Sequence, residues 1–319
     1  MSVKRIIRAL QRHKRFIISA HVDLEGDALG SEIALAYLLK SLGKTVSIMN
    51  NDLTPKAYNF LPGKHMIRSK RGAPAFDAAI VIDCSDIRRI GRIQKFISDT
   101  TPLINIDHHI SNEKFGDTNW IDTKASSASE MVYWLYKALR KPIKKEAAIA
   151  LYTGIATDTG FFRYSNTSSK THAIASELLK HKINVYDIYR HLYQHFSLKE
   201  TQLLASILAS IKVDSSKKIA WVELSRNTGY HDIKKEFSDI IFGFLRSIEG
   251  VEVAIIFRER GKKATKINLR SQSRVNVGAF AVRFGGGGHA RASGCFLEKD
   301  LASTRKQVVS ELQQLVREK

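Results

Sequence analysis

Cysteine is nearly absent: 319 residues hold two, Cys84 and Cys295, in different halves of the chain. Two thiols so far apart exclude a disulfide framework and lack the close spacing of a zinc site, which leaves buried, unpaired thiols as the reading. Long apolar runs are missing too. No stretch of about 18 uncharged apolar residues occurs, so no segment reads as a transmembrane helix. The opening MSVKRIIRALQRHKR is basic, but no apolar core and small-residue cleavage site follow it, and a cytoplasmic protein is expected. Internal repeats and low-complexity tracts are absent. Acidic residues are the scarcer sign of charge: 31 Asp and Glu face 51 Lys and Arg, leaving a formal net charge of +20. Such an excess draws polyanions at long range, with nucleotides and nucleic acid the foremost candidates.

What is present is a folded pattern, 44% apolar and long enough for two domains. RFIISAH, TVSIMNN, AAIVIDC and PLINIDH read as buried strands, being short, rich in Ile and Val, and bounded by turn residues or charges. Between the first two, ALGSEIALAYLLKSLGK repeats apolar residues at helical spacing (Leu29, Ile33, Ala36, Tyr37) and stops at Gly43. Strand, helix, strand implies a parallel sheet with covered faces. Ser127 and Glu130 are spaced as a capping box for a helix, and KEAAIALYTGIAT forms another. From THAIASELLKH to SLKETQLLASILASIK the chain reads as almost wholly helical, which suits a connector. Beyond Lys212 strands return at KIAWVELS, VEVAIIFRER, TKINLRS and GCFLEK, with helices at SDIIFGFLRSIE and near the C-terminus. The domain boundary is expected in or near 190–215.

Three strand ends carry the same kind of residue. His21, Glu25 and Asp27 follow the first strand, Asp83 ends AAIVID, and Asp107, His108 and His109 end PLINIDHH. Residues just past the carboxyl ends of parallel strands converge on one crevice. Asp158, at the end of a helix in GIATDTGFF, adds a further carboxylate. Like charges gathered without counter-charge raise one another's pKa and strain the fold, a cost that divalent cations remove. Mixed carboxylate and imidazole donors suit Mn²⁺, Fe²⁺ or Zn²⁺. The donors exceed one coordination shell, which favours two ions sharing a bridging carboxylate and hydroxide, the usual arrangement for phosphoester hydrolysis, with Asp83 as the bridge.

The blocks HVDLEGDALGS, VIDCSD, DHH and TDTGFF, followed far downstream by FGGGGHARASG, resemble the DHH phosphoesterase family with its associated C-terminal domain. Order, spacing and length are most similar to its short soluble branch, the nanoRNases that act as oligoribonucleases and as phosphatases of adenosine bisphosphate (pAp). The resemblance implies an α/β fold: a parallel-sheet DHH domain over 1–190 with helices on both faces, a helical linker over 191–215, and a smaller α/β substrate-binding domain over 216–319. It implies one metal on His21, Glu25 and Asp83 and another on Asp27, Asp83, His108 and Asp158. Asp107 would orient an imidazole, and His109 would stand beside the scissile phosphate. Asp83, Asp107, His108 and His109 are thus the expected catalytic set, with manganese the first choice of cation and Mg²⁺, Co²⁺ or Fe²⁺ the others. Where relatives usually have Pro-Asp this chain has Leu24 and Glu25, a carboxylate one methylene longer.

A glycine run offers successive N–H groups with no Cβ in the way of an anion, although by itself it is equally a loose loop. The resemblance turns it toward substrate binding: Gly286, Gly287, Gly288 and His289 would clasp a nucleotide end, with Arg270 and Ser271 at a phosphate. The implied substrates are short RNA, linear dinucleotides and pAp; no membrane partner is expected, and a homodimer is left open. Rival readings are another hydrolase of the same chemistry, such as a cyclic-dinucleotide phosphodiesterase or a pyrophosphatase, and a non-catalytic module that binds nucleic acid. Bland readings are preferred elsewhere. His65, His172, His181, His191, His195 and His231 read as ordinary surface or core residues, and Tyr133, Trp134 and Tyr136 as core. Asp86 is read equally as a ligand's support or a solvated turn. Phe161, Phe162 and Arg163 are left as residues that could line the crevice.

Overall fold

Runs of Ile and Val too short for a buried helix become strands of a parallel sheet. The computed structural model describes residues 3–68, 75–194, 196–226, 235–261 and 263–317, so His195 and His231 lie outside the described residues. The chain divides into two units, Met1–His195 and Phe196–Lys319. In the first, β1 (Arg15–Ser19), β2 (Thr45–Met49), β3 (Ile67–Arg68), β4 (Ala78–Ile82), β5 (Leu103–Asp107) and β6 (Thr118–Ile121) form one sheet in the order β3-β2-β1-β4-β5-β6, every pair parallel. Alternation sorts the side chains. Phe16, Ile18, Ile80, Ile82, Ile104 and Ile106 enter the large core, while Ile17, Ala79 and Val81 point the other way. The large core lies under α1 (Val3–Arg12), α2 (Gly26–Ser41), α3 (Ala128–Ala138), α4 (Lys145–Asp158), α5 (Ser169–Leu179) and α6 (Val185–Tyr193). Ile90 and Ile93, from the 3₁₀ stretch Ile87–Phe96, cover the opposite face.

The four expected strands and α2 are present. The short edge strands β3 and β6 carry too few residues for the alternation to show. The long stretch read as almost wholly helical is divided into α5, α6 and then α7 (Leu198–Ala209), because Asn184 and Ser197 each accept a backbone N–H as N-caps and Lys182 turns left-handed at φ 53°. The box at Ser127 is half-formed: its side chain accepts from the Glu130 N–H, but the Glu130 carboxylate accepts instead from the N–H and hydroxyl of Ser126. Tyr133 and Tyr136 are core, whereas Trp134 is 40% exposed. Asp86 caps the 3₁₀ stretch and pairs with Arg88, and both cysteines are free and buried.

Helices α2 and α4 meet backbone to backbone. A Cβ on Gly30 would run into the Ala150 carbonyl oxygen and sit 3.0 Å from the Gly154 backbone nitrogen. The contact sets Asp27, on the first turn of α2, at the same end as Asp158, the last residue of α4. Gly30→Ala is therefore expected to cost about 2–3 kcal/mol through overpacking, read as a lower urea midpoint with an unchanged slope. An unchanged midpoint would mean that the helices have slack there.

The second unit holds β7 (Lys212–Val213), β8 (Ile219–Leu224), β9 (Val253–Glu259), β10 (Thr265–Ser271), β11 (Gly287–His289) and β12 (Ala292–Leu297), in the order β11-β12-β10-β9-β8-β7. Only β8 and β9 pair parallel. Helices α9 (Val277–Val282) and α10 (Leu301–Arg317) pack one face through Val277, Phe280, Val308 and Leu312. On the other face α7 and α8 (Lys235–Ser247) contribute Ile207, Phe237, Ile241 and Leu245. No helix among the described residues is long and apolar enough to cross a membrane.

Candidate metal centre

Register brings the strand-end residues into one row. Ser19 pairs with Val81 and Ile82 with Ile106, so His21, Asp83 and Asp107 follow at matching heights beyond β1, β4 and β5. From β1 the chain runs outward to β2 and β3 and then crosses back to β4 on the other side of β1, so the row spans the switch point of the sheet, where such folds bind ligands. Three groups of donors result, with the atoms of each within 4.8 Å of one another: His21, Glu25 and Asp83; Asp27, His108 and Asp158; Asp83, Asp107, His108 and His109.

Asp83 is the hub. His21 Nε2 lies 3.6 Å from its Oδ2, and His108 Nε2 and His109 Nδ1 lie 3.4 and 3.8 Å from its Oδ1. His108 Nε2 is also 3.9 Å from Asp27 Oδ2 and 3.6 Å from Asp158 Oδ2. Both oxygens of Asp83 are buried without a hydrogen-bond partner. The residue is held left-handed at φ 54°, a conformation that an aspartate tolerates better than most side chains and that clusters at functional sites.

Asp27 is fixed from outside its own helix. Its Oδ2 and Oδ1 accept the N–H groups of Ala128 and Ser129 at 2.6 and 2.9 Å, so it is the anion at the N-terminus of α3. Asp107 Oδ1 meets His109 Nδ1 at 2.7 Å, and its Oδ2 accepts from Asn112 Nδ2 at 2.6 Å. The imidazole that Asp107 orients is therefore that of His109. Leu24, 5% exposed, is anchored in the large core, and Glu25 follows it as the N-cap position of α2.

Protonation follows from crowding. Burial opposes the charge of His21, but Asp83 outweighs it and raises the imidazole to about 9. Burial likewise opposes the charge of His108, and Asp83, Asp27 and Asp158 together raise it to about 10. Burial would raise Asp83 as well, yet the two imidazoles hold it far below the usual carboxylate range. Burial pushes Asp27 up to about 7, with Asp83 adding to the rise, and pushes Asp158 up to about 9, with Asp27 adding. Imidazoles and carboxylates thus share protons to neutralise a pocket whose central carboxylate has no hydrogen-bond donor. That is the donor set and the orphaned charge a pair of divalent cations would satisfy.

Two supports escaped the sequence reading. Asn112 braces Asp107. Glu32 is fully buried on α2, with Oε2 accepting from Asn50 Nδ2 at 2.8 Å and Oε1 unpartnered, and burial pushes it up to about 8. Asn50 in turn accepts the Ala20 N–H at 3.1 Å, next to His21. A lone acid in the apolar helix ALGSEIALAYLL was the available signal.

In the second unit the glycine run is ordered. Gly285 turns left-handed at φ 68° after α9, and Gly287–His289 pair as the edge strand β11 with β12. Gly288 has φ 138°, and a Cβ there would meet the Ala292 carbonyl oxygen at 2.5 Å. His289 and Arg270 both pair with Ala292, so the run and Arg270 reach the same end of the sheet. The Arg270 guanidinium lies over the Phe242 ring, 4.8 Å from its centroid, and Ser271 Oγ donates to Ala290 O at 3.3 Å.

A parallel sheet with carboxylates and imidazoles across its switch point, in a chain whose second unit has a sheet ending in a glycine edge, defines an α/β protein of two units with donor groups able to hold divalent cations. The chain belongs to the DHH family: residues 15–155 match the DHH family, N-terminal domain, and residues 216–318 match the DHHA1 domain. Enzymes of this family use divalent metals. The chain is 30% identical over 291 residues to the probable bifunctional oligoribonuclease and PAP phosphatase NrnA of Streptococcus mutans, covering 91% of this chain and 92% of that one. To the bifunctional oligoribonuclease and PAP phosphatase NrnA of Thermus thermophilus it is 29% identical over 284 residues, covering 88% and 83%. A solved exopolyphosphatase-related protein from Bacteroides fragilis superposes with a TM-score of 0.87 at 26% identity, over 99% of this chain and 95% of that one.

Proposed function

We propose that the protein uses two divalent cations, manganese first, to release mononucleotides from short RNA oligonucleotides and dinucleotides and to convert pAp to AMP. The observation that carries this reading is Asp83, a buried carboxylate with both oxygens unpartnered, ringed by three imidazoles and flanked by donor groups on either side. His21, Glu25 and Asp83 would hold one cation, and Asp27, Asp83, His108 and Asp158 the other. When bound, such a pair supplies Lewis-acid charge at the phosphoryl oxygens and an activated water. Asp107, braced by Asn112, fixes the ring of His109 through Nδ1, which leaves Nε2 to face the phosphate or the departing oxygen.

In this reading the unit Met1–His195 carries the chemistry and Phe196–Lys319 grips substrate; the stretch expected as a linker, 191–215, is divided between them, with α6 packed in the first core and α7 in the second. In the second unit Arg270 and Ser271 meet a phosphate, while the N–H groups of Gly286, Gly287 and Gly288 approach a nucleotide end. The names of the relatives agree with these substrates, and the net charge of +20 suits an anionic one.

Turnover of pAp, a labelled dinucleotide and a longer oligomer, measured side by side with and without Mn²⁺, tests the proposal. AMP and mononucleotides are expected only with metal. Arg270→Ala is expected to raise KM about tenfold or more with kcat nearly unchanged, as loss of a charge-assisted contact made before and during the reaction. Dinucleotide binding without cleavage under any divalent cation would replace the enzyme with a nucleic-acid-binding module.

A further inference from the structure

The helix α6 carries a row of partly exposed aromatic rings. Ile188 and Leu192 dock it to the core, while Tyr186, Tyr189 and Tyr193 stand 63%, 40% and 37% exposed at helical spacing. The rings of Tyr189 and Tyr193 lie 5.1 Å apart, and Phe161 meets them edge-on at 5.2 and 5.3 Å. Phe161 sits in a turn of three successive left-handed residues, Gly160, Phe161 and Phe162, with φ of 56°, 55° and 64°. Bulky side chains adopt that conformation rarely and at a cost of about 1–3 kcal/mol each, which the surrounding structure must enforce. The turn follows Asp158 directly. Three residues of chain span at most about 11 Å, so the Cα of Phe161 lies within that distance of the Cα of Asp158.

Cationic groups accompany the rings. Lys56, Ala57, Arg190, His191 and Gln194 line a cavity of about 330 Å³, with Phe60 stacked on His191 at 4.8 Å. Asp187 is the acidic neighbour, 3.6 Å from the Arg190 guanidinium. Flat rings interleaved with cations, beginning beside the scissile centre, are the chemistry that binds single strands without regard to sequence, since every base has a π face.

We propose that the outer face of α6 is a stacking track for the nucleotides of an oligoribonucleotide beyond the one being released, with Lys56 and Arg190 at its phosphates. The inference rests on the phosphoesterase reading above and adds a determinant of substrate length. A single nucleotide such as pAp does not reach the track; a pentanucleotide does.

The test is the double variant Tyr189→Ala/Tyr193→Ala in the full chain with Mn²⁺. Its kcat/KM for a pentaribonucleotide falls about 10-fold to 100-fold, mainly through KM, from the loss of two stacking rings. Turnover of pAp is unchanged, and Tyr189→Phe/Tyr193→Phe restores the pentamer. A parallel loss on pAp and pentamer, or an unaffected pentamer, overturns the track. Should the unaltered protein hydrolyse neither substrate, the phosphoesterase reading fails separately. The track is then decided by fluorescence anisotropy of a labelled pentamer on the metal-free chain, where weaker binding by the alanine variant supports it and equal binding overturns it.

Discussion

Asp83→Asn is expected to lower turnover of both pAp and a dinucleotide by about 10³-fold or more, since removing a shared ligand withdraws several kcal/mol of transition-state stabilisation. Asparagine keeps the size of the side chain and tolerates the left-handed backbone at φ 54°, so the substitution isolates the charge. The charge also matters without metal. Asp83 is held far below the usual carboxylate range by His108 and His21, so its ionised form stabilises the fold above the unfolded-state pKa, and that contribution is lost as pH falls. The variant should therefore melt somewhat earlier at neutral pH in chelator, yet melt cooperatively. Calorimetric titration with Mn²⁺ should show no tight binding event. A variant that retains a tenth of the activity, or two bound ions, would remove Asp83 from the centre of the mechanism.

The overall affinity for the pair of manganese ions is expected to climb about 100-fold or more per pH unit from about pH 6.5 to 8.5, because at least two protons, one from each imidazole, leave as the two cations enter. The sign follows from the imidazoles. His21 is raised to about 9 and His108 to about 10, so in the metal-free protein both carry protons at neutral pH and must lose them to become ligands. Rising pH removes that competition, and the gain levels off once pH passes the folded values. Asp158, pushed up to about 9, adds in the same direction. Titrations in buffers of different ionisation enthalpy count the protons directly. An affinity flat across that range would mean that the imidazoles are not displaced from their carboxylates by metal.

Much of the first unit was legible because its physics is local. Buried parallel strands need continuous Ile and Val, and donors placed immediately after such runs must share a sheet edge, so His21, Asp83, Asp107, His108 and His109 could be grouped from the sequence. The third dimension was less accessible. That Asp27 would cap α3 depends on contacts more than 100 residues away, with |i−j| of 101 and 102. That Asp107 would orient His109, with Asn112 behind it, depends on rotamers that spacing does not encode. The breaks before α6 and α7 were missed because Asn184 and Ser197 start a new helix through side-chain capping, with no Gly or Pro to mark where the preceding one ends. The aromatic face of α6 could not be told from core, since exposure is invisible to a helical repeat. Leu24 shows how the unusual first motif works: where a ring would restrict the turn, burial of an apolar side chain anchors it.

The double duty proposed for Asp27, anion at the head of α3 and ligand to a cation, has a thermodynamic corollary. Its rotamer is locked by two amides at the head of α3 in the metal-free chain. Immobilising a rotamer-rich side chain at the moment of binding costs about 0.5–1.5 kcal/mol, and here that entropy has already been surrendered when the chain folds. Preorganisation of this sort favours long residence of the ion over adaptability. A cation of the wrong radius meets donors that cannot follow it inward.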